Sequence, residues 1–484
     1  MSEKYASDYL FIGGQWVAPH STRRITVVSP TSEEAIGSVP EADDADVDAA
    51  VSAARTAFDD PRGWAHWDAA SRAAAIERFA DALEARSSRI AHLVSSQNGM
   101  PITLAGAVEG VVPARLLRYC AGLIAGSSSN EVRVSLGGGK TLVRREPIGV
   151  VGAIAPFNFP QSLAAYKYAS ALAAGCTIVL KPSPETVLDT ELIAEAALEA
   201  GLPAGVFNII PGGGQAGAML IEHPAVDKVA FTGSTAVGRS IAEVCGRLLR
   251  PVTLELGGKS AAIILDDADL DLATMGGRLF AATLANSGQA RHLSTRILVP
   301  RERHEEVVGM LESLVRSLVI GDPLDPTTQV GPLVSERQRE RVEGYIVKGR
   351  EDGARLVTGG ARPCHLARGW FVEPTVFADV DNRSVIAQEE IFGPVLAVIP
   401  YSGEEEAIRI ANDSAYGLGG SVWTRDDKRG IDVAKRVHTG TLRLNGAATD
   451  HAAPFGGVKA SGIGTELGPE GLAQYQHLKS IYVS

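Results

Sequence analysis

Apolar and polar residues recur along this chain with two different periods, and the change from one to the other divides it. Residues 10–16 (Leu-Phe-Ile-Gly-Gly-Gln-Trp) read as two short runs around a glycine turn, hence a small hairpin. Val47, Val51, Ala54 and Phe58 then recur three or four residues apart in an alanine-rich stretch, which predicts a helix with one buried face. More alanine-rich helix follows over 71–93. From Ile148 the pattern changes. Apolar runs rich in β-branched residues, at 150–154, 177–180, 206–210, 228–231 and 252–254, are separated by alanine-rich helical segments that include 163–174 and 191–200. Strands apolar on both faces, alternating with helices, predict a doubly wound parallel sheet. A second block of this kind runs from Ser260 to about Thr441, with strands near 295–299 and 395–399, so two α/β domains are expected. Between the first helices and the first block, 132–136 and 142–145 flank Gly137-Gly-Gly139, which predicts a projecting β-hairpin.

Composition narrows the class. The 484 residues are 45% hydrophobic and 21% charged, enough for about three packed domains. Lys and Arg number 46 against 57 Asp and Glu, and a net charge of -11 argues against nucleic acid or an anionic membrane as the main partner. No apolar run approaches the roughly 18 residues of a membrane span, and the first residues lack the basic-then-apolar order of a secretory signal. Cys120, Cys176, Cys245 and Cys364 are scattered and form no CxxC pair. A cytoplasmic protein without structural zinc, other bound metal or a disulfide framework is expected.

Several local patterns imitate known sites. Gly212-Gly-Gly-Gln-Ala-Gly217 has the G-x-G-x-x-G spacing after a strand, but no acidic residue stands in an obvious ribose-binding strand about 20 residues on. A tight strand-to-helix turn is the favoured reading. Gly137-Gly-Gly-Lys-Thr141 copies the end of a phosphate loop, yet Val134 holds the position of its first glycine. His304-Glu-Glu lacks the second histidine of a zinc helix, and Cys176 beside an apolar strand reads as core.

The chemistry-bearing segments belong together. Asn286-Ser-Gly-Gln-Ala-Arg291, followed by the strand-like 295–300, resembles the nucleophile loop of the aldehyde dehydrogenases, a resemblance that extends over nearly the whole chain. It implies that family's fold: two doubly wound α/β domains plus a small β oligomerisation element. Residues 1–120 and 144–255 would form the dinucleotide-binding domain, 256–466 the catalytic domain, and 121–143 with 467–484 the oligomerisation element of a homodimer or tetramer. It also implies NAD(P)-dependent oxidation of an aldehyde, a small-molecule partner, to a carboxylic acid through a thioester.

Residue by residue, Pro156-Phe-Asn-Phe-Pro160 matches the loop whose asparagine donates to the developing oxyanion, which assigns Asn158. Leu254-Glu-Leu-Gly-Gly-Lys-Ser260 matches the segment of the general base, Glu255, and brings Gly257 to the cofactor. Phe231-Thr-Gly-Ser-Thr-Ala-Val-Gly238 is similar to the pyrophosphate site, so Gly233 and Ser234 would offer backbone N–H groups and a hydroxyl at a helix start. Lys181 and Ser183 match the segment at the adenosine ribose, and Glu390 and Phe392 match the residues at the nicotinamide. Phe157, Leu163, Tyr166, Ala285, His292 and Phe455 are expected to line a roomy, largely apolar substrate tunnel.

Two positions depart from the family. Pro184 stands where NAD-preferring relatives often have a glutamate for the ribose hydroxyls, which leaves NAD and NADP both open. Arg291 stands where the family has its nucleophilic cysteine. A guanidinium stays protonated and only donates hydrogen bonds, so it cannot attack a carbonyl. The catalytic set expected is therefore Asn158 and Glu255 with Arg291 at an emptied nucleophile position. An impaired dehydrogenase is the first reading, and a non-catalytic dinucleotide-binding or structural protein on the same fold is the alternative. A cation in an apolar tunnel needs a carboxylate or water, so Arg291 is expected to pair with Glu255 or to swing into ligand space. Such pairing is expected to depress the Glu255 pKa.

Overall fold

A computed structural model describes residues 5–126 and 130–483. Residues 1–4, 127–129 and 484, which fall in the expected cofactor and oligomerisation segments, lie outside the described residues. The apolar runs of the first block become five adjacent parallel strands, in the order Val252–Glu255, Lys228–Thr232, Val150–Ile154, Thr177–Lys181 and Phe207–Ile209. The N-terminal hairpin, Leu10–Ile12 with Gln15–Val17, extends one edge antiparallel, and Gly462–Ile463 from the far end of the chain closes the other. Helices cover both faces. Pro160–Ala174 and Thr190–Glu199 pack on one side with Ala69–Glu84 and Val112–Ala125, while Asp44–Asp59, Gly214–Glu222 and Thr235–Arg247 pack on the other. Their many alanines let helix backbones lie close to the sheet, and the strands are buried along their length because both faces are covered.

The second block forms a seven-stranded sheet, ordered Arg355–Thr358, Thr375–Ala378, Val395–Tyr401, Arg296–Pro300, Ala261–Ile264, Gly420–Trp423 and Arg443–Leu444. Only the first strand runs antiparallel to its neighbour. Separate apolar clusters occupy its two faces. The predicted hairpin is Asn130–Val134 paired with Lys140–Pro147, and the C-terminal strand Gln476–Val483 adds to it antiparallel. Val134, Leu136 and Tyr482 of this three-stranded sheet are more than four-fifths exposed.

The helix expected over 71–93 is two helices. Ala69–Glu84 stops at Ala85, and Ser87–Asn98 starts after Arg86. Helical periodicity continues through the break, so the sequence pattern does not reveal it; Arg86 turns out to reach Glu195 at 3.1 Å and Glu199 at 2.7 Å on Thr190–Glu199. Among the described residues no helix is long and apolar enough to cross a membrane.

Candidate active site

In doubly wound sheets ligands gather off the carboxyl ends of the strands, and the singled-out residues lie there. Asn158 follows Val150–Ile154, Lys181 ends Thr177–Lys181, Gly233 and Ser234 follow Lys228–Thr232, and Glu255 ends its own strand. Glu255 is fully buried and pairs in register with Thr232 on one side and Gly462 on the other.

The loop bearing Arg291 is held from several directions. Asn286, Ser287 and Gly288 take φ values of 50°, 55° and 76°, a left-handed run that costs energy unless surrounding contacts impose it. Those contacts are present. Asn286 Nδ2 donates to the Asn158 carbonyl at 2.9 Å, Ser287 Oγ to the Gly331 carbonyl at 2.8 Å, and Gln289 Oε1 accepts from the Val334 N–H at 3.0 Å. A Cβ on Gly288 would stand 2.1 Å from the Gly393 carbonyl oxygen, so glycine is required there. Asn158 is 2% exposed, and its Nδ2 donates to the Gln289 carbonyl at 2.8 Å, which spends one of its two N–H groups and turns the amide toward this loop. Asn98, which the sequence did not single out, donates to the Phe157 carbonyl at 2.6 Å and fixes the same segment from behind.

Arg291 folds inward. Its side chain is 6% exposed, and Nη1 donates to the Leu256 carbonyl at 3.1 Å and to Glu255 Oε2 at 3.4 Å. The guanidinium carbon lies 6.0 Å from the centre of the Phe455 ring. The expected pairing with Glu255 is therefore formed, but its expected consequence is reversed. Burial raises the Glu255 pKa, to about 8, and outweighs the opposing pull of Arg291. A single long contact recovers too little to offset full desolvation of the carboxylate. Behind Glu255 lies a buried ion pair, Lys167 Nζ to Glu466 Oε1 at 2.7 Å, with Lys167 also donating to Thr232 Oγ1 at 2.6 Å. Glu466 pushes the Glu255 pKa up and Lys167 pulls it down. No sequence signal marked this pair, whose members stand 299 positions apart.

The Gly257-Gly258 pair has two separate reasons. A Cβ on Gly257 would lie 2.6 Å from Glu390 Oε2, and one on Gly258 would lie 2.4 Å from the Arg291 carbonyl oxygen. The Gly258 N–H donates to Glu390 Oε1 at 3.0 Å, and burial raises the Glu390 pKa. Phe392, at φ 62°, meets the ring of Phe157 edge-on with centres 5.7 Å apart.

Beside this cluster opens a cavity of about 570 Å³, lined by Phe157, Lys181, Ser183, Pro184, Gly233 and Ser234 among others, with Ile154, Val237, Ile241 and Val244 as apolar wall. Phe157, expected in the substrate tunnel, thus lines the dinucleotide-sized cleft. Ser234 caps Thr235–Arg247, its hydroxyl accepting from the Val237 N–H at 3.4 Å, and the Gly233 N–H donates to the Glu255 carbonyl at 3.0 Å. Lys181 Nζ donates to the carbonyls of Gly212 at 2.6 Å and Pro182 at 2.9 Å, and burial lowers its pKa to about 8. Gly213, Gly214 and Gly217 share the cavity wall, so the glycine-rich turn is a strand-to-helix turn that also borders the cleft. Pro184 starts a short turn, and Glu185, one position later, brings a carboxylate into the same wall. It accepts from Ser183 Oγ at 2.5 Å and lies 3.8 Å from Arg337 Nη2 on the other sheet's side. A carboxylate therefore stands in the cleft wall one position after Pro184.

Leu163 and Tyr166, three apart on Pro160–Ala174, share a helix face. Tyr166 meets Phe455 with ring centres 6.4 Å apart and His451 at 5.9 Å. Ala285 is half-buried at the start of the left-handed loop. His292 is driven far below the usual imidazole range by burial, with Arg443 and Arg291 adding to the effect, so it stays neutral. Arg443 is an unexpected half-buried cation here, and its Nη2 donates to Thr449 Oγ1. The surroundings of these residues are less apolar than the expected tunnel lining.

A strained loop and a buried asparagine and glutamate thus stand beside a cleft of about 570 Å³, and comparison with known proteins gives the class. The aldehyde dehydrogenase family model matches residues 16–481. The chain is 54% identical over 475 residues, 98% of each protein, to geranial dehydrogenase of Castellaniella defragrans. It superposes with a TM-score of 0.96, at 48% identity over 100% of this chain and 99% of the other, on a Mycobacterium tuberculosis aldehyde dehydrogenase complexed with NAD+. A TM-score of 0.94 at 39% identity, over 98% and 96%, relates it to a cysteine-to-alanine variant of aldehyde dehydrogenase C from Pseudomonas syringae, complexed with NAD+ and octanal. The chain belongs to the aldehyde dehydrogenase family and has its fold.

Proposed function

We propose that this chain keeps the cofactor cleft and oxyanion machinery of an NAD(P)-dependent aldehyde dehydrogenase but has lost the covalent nucleophile, so that it binds dinucleotide and turns over aldehydes poorly. The NAD+ held by the M. tuberculosis and P. syringae relatives supports NAD or NADP as the cofactor. Bound there, the cofactor would supply a hydride acceptor. Lys181 and Ser183 would hold the adenosine ribose, Gly233 and Ser234 the pyrophosphate, and Glu390 the second ribose, with Gly257 leaving room and Phe392 against the ring. The remaining N–H of Asn158 Nδ2 would donate to an aldehyde oxygen, where developing charge is stabilised most in a dry site. Glu255, once ionised, would take a proton from water. The octanal bound by the P. syringae relative supports an aliphatic aldehyde as the substrate class. We assign the cofactor domain to 1–120 and 144–255, the catalytic domain to 256–466 and the oligomerisation element to 121–143 and 467–484.

The observation that carries this reading is the Arg291 guanidinium, turned inward against Glu255 and Leu256 from the loop that should present a thiol. It is a permanent cation with no lone pair to donate, and it occupies the base. The same observation favours the second reading, a non-catalytic dinucleotide-binding protein. Turnover of an aldehyde panel by the chain and by Arg291→Cys, with NAD+ and with NADP+, separates the two. Activity that returns with the cysteine supports the first, and dinucleotide binding without turnover in either protein supports the second.

A further inference from the structure

We infer that Arg337 is a specificity-determining residue of the cleft: its guanidinium takes the 2′-phosphate of NADP+, so that this chain accepts NADP+ as a second cofactor beside NAD+. The inference rests on the proposed reading that the cleft holds the adenosine ribose of a dinucleotide at Lys181 and Ser183. Among the described residues two cations line the cleft, Lys181 and Arg337. Lys181 is committed, since it is buried and its Nζ donates to two backbone carbonyls. Arg337 is not. Its side chain is 88% exposed, and its Nη2 stands 3.8 Å from Glu185 Oε1, too far for a hydrogen bond. An exposed ion pair of that kind contributes little, so little opposes turning the guanidinium onto a ligand anion.

Its position gives the guanidinium a particular phosphate to meet. Ser183 Oγ donates to Glu185 Oε2 at 2.5 Å, and Arg337 lies against the other oxygen of the same carboxylate. A ribose held at Ser183 is therefore one carboxylate away from a permanent cation. Arg337 reaches the cleft from the second block, on the helix Glu336–Glu351. Gln338 Nε2 ties that helix to the Phe392 carbonyl at 2.8 Å, and Arg341 Nη2 ties it to the Glu390 carbonyl at 2.6 Å. The stem of Arg337 is thus anchored to the cleft while its head group stays in solvent. A 2′-hydroxyl can donate to Glu185, whereas a 2′-phosphate is repelled by it and needs a charged donor instead. The planar fork of a guanidinium matches phosphate oxygens at two points. Side by side, Glu185 suits the hydroxyl and Arg337 the phosphate, so the repulsion that favours NAD+ is offset in part.

The test is calorimetric titration of the intact chain with NAD+ and with NADP+, which differ only in the 2′-phosphate. Any effect of Arg291 near the nicotinamide is common to both and cancels in their ratio. Arg337→Ala should weaken NADP+ by roughly tenfold, the scale of one charged hydrogen-bonded contact, and leave NAD+ within about twofold. Arg337→Lys, which keeps the charge, should restore part of the loss. Raising the salt concentration should move the parent's ratio toward that of Arg337→Ala, because an exposed contact is screened. In the Glu185→Gln background, where NADP+ binds more tightly, adding Arg337→Ala should reverse part of the gain. Equal weakening of both cofactors by Arg337→Ala, unchanged NADP+ affinity, or a parent that binds NAD+ but not NADP+ overturns the inference and leaves the proposed function standing. A parent that binds neither cofactor removes the cleft reading itself, and the inference with it.

Discussion

Replacing Arg291 by cysteine should convert this chain into a working dehydrogenase, with a pH dependence that the structure specifies. The substitution removes two hydrogen bonds, to Leu256 and to Glu255, and one cation beside the Phe455 ring. Little stability should be lost. A protonated Glu255 is not left as an uncompensated buried charge when the guanidinium goes, so the several-kcal/mol penalty for breaking a buried ion pair does not apply near neutral pH. Turnover should rise by roughly 10,000-fold or more over the parent, because groups that act as a unit lose most of their effect when one is missing. The new rate should depend on ionised Glu255. Even at the parent's pKa of about 8 only about one-tenth of the carboxyl would be ionised at pH 7 and about nine-tenths at pH 9, so kcat should climb by roughly ninefold or more across that interval. Arg291 is what lowers this pKa in the parent, so its loss moves the carboxyl higher still and shifts the rise further into alkaline pH. Steady-state NADH production from octanal, followed from pH 6 to 10, measures both quantities. An Arg291→Cys protein no faster than the parent would refute the reasoning about the nucleophile. A flat profile between pH 7 and 9 would refute the assignment of Glu255.

In the Arg291→Cys background, Asn158→Ala should lower kcat by roughly 100-fold or more while leaving the folded stability nearly intact, since the amide's static bond is to the Gln289 carbonyl alone. The unmodified chain should bind NAD+ by calorimetry, because Lys181, Gly233 and Ser234 line a cavity that does not include Arg291; no heat at millimolar cofactor would contradict this. NAD+ should be preferred over NADP+, since a 2′-phosphate would meet the Glu185 carboxylate, and Glu185→Gln should shift the affinity ratio toward NADP+ by roughly tenfold. A ratio unmoved by that substitution would show that Glu185 does not reach the ribose. Sedimentation should give a dimer or a larger multiple, because the sheet of Asn130–Val134, Lys140–Pro147 and Gln476–Val483 leaves Val134, Leu136 and Tyr482 almost fully exposed; a monomer alone would refute it.

Much of this protein was legible in its sequence because the relevant physics is local. Runs such as those at 150–154 and 228–231 are apolar on both faces, and a strand of that kind is stable only inside a sheet covered on both sides, so the doubly wound class follows from pattern alone. The asparagine loop, Gly257-Gly258, the Gly233-Ser234 helix start and the absence of a thiol at 291 are short-range facts of the same sort. What the tertiary structure decided are the quantities that depend on who stands opposite. The break before Ser87–Asn98 lies inside continuous helical periodicity, where Arg86 reaches a helix more than a hundred positions away. Pro184 read as the loss of a carboxylate until the turn it begins brought Glu185 into the cleft wall. The pairing of Arg291 with Glu255 was foreseeable from charge, but the direction of the Glu255 pKa was not. That direction is the difference between complete burial and a single 3.4 Å contact, modulated by Lys167 and Glu466 from distant segments. Desolvation is set by everything that surrounds a group in space, and the order of residues along a chain does not state it.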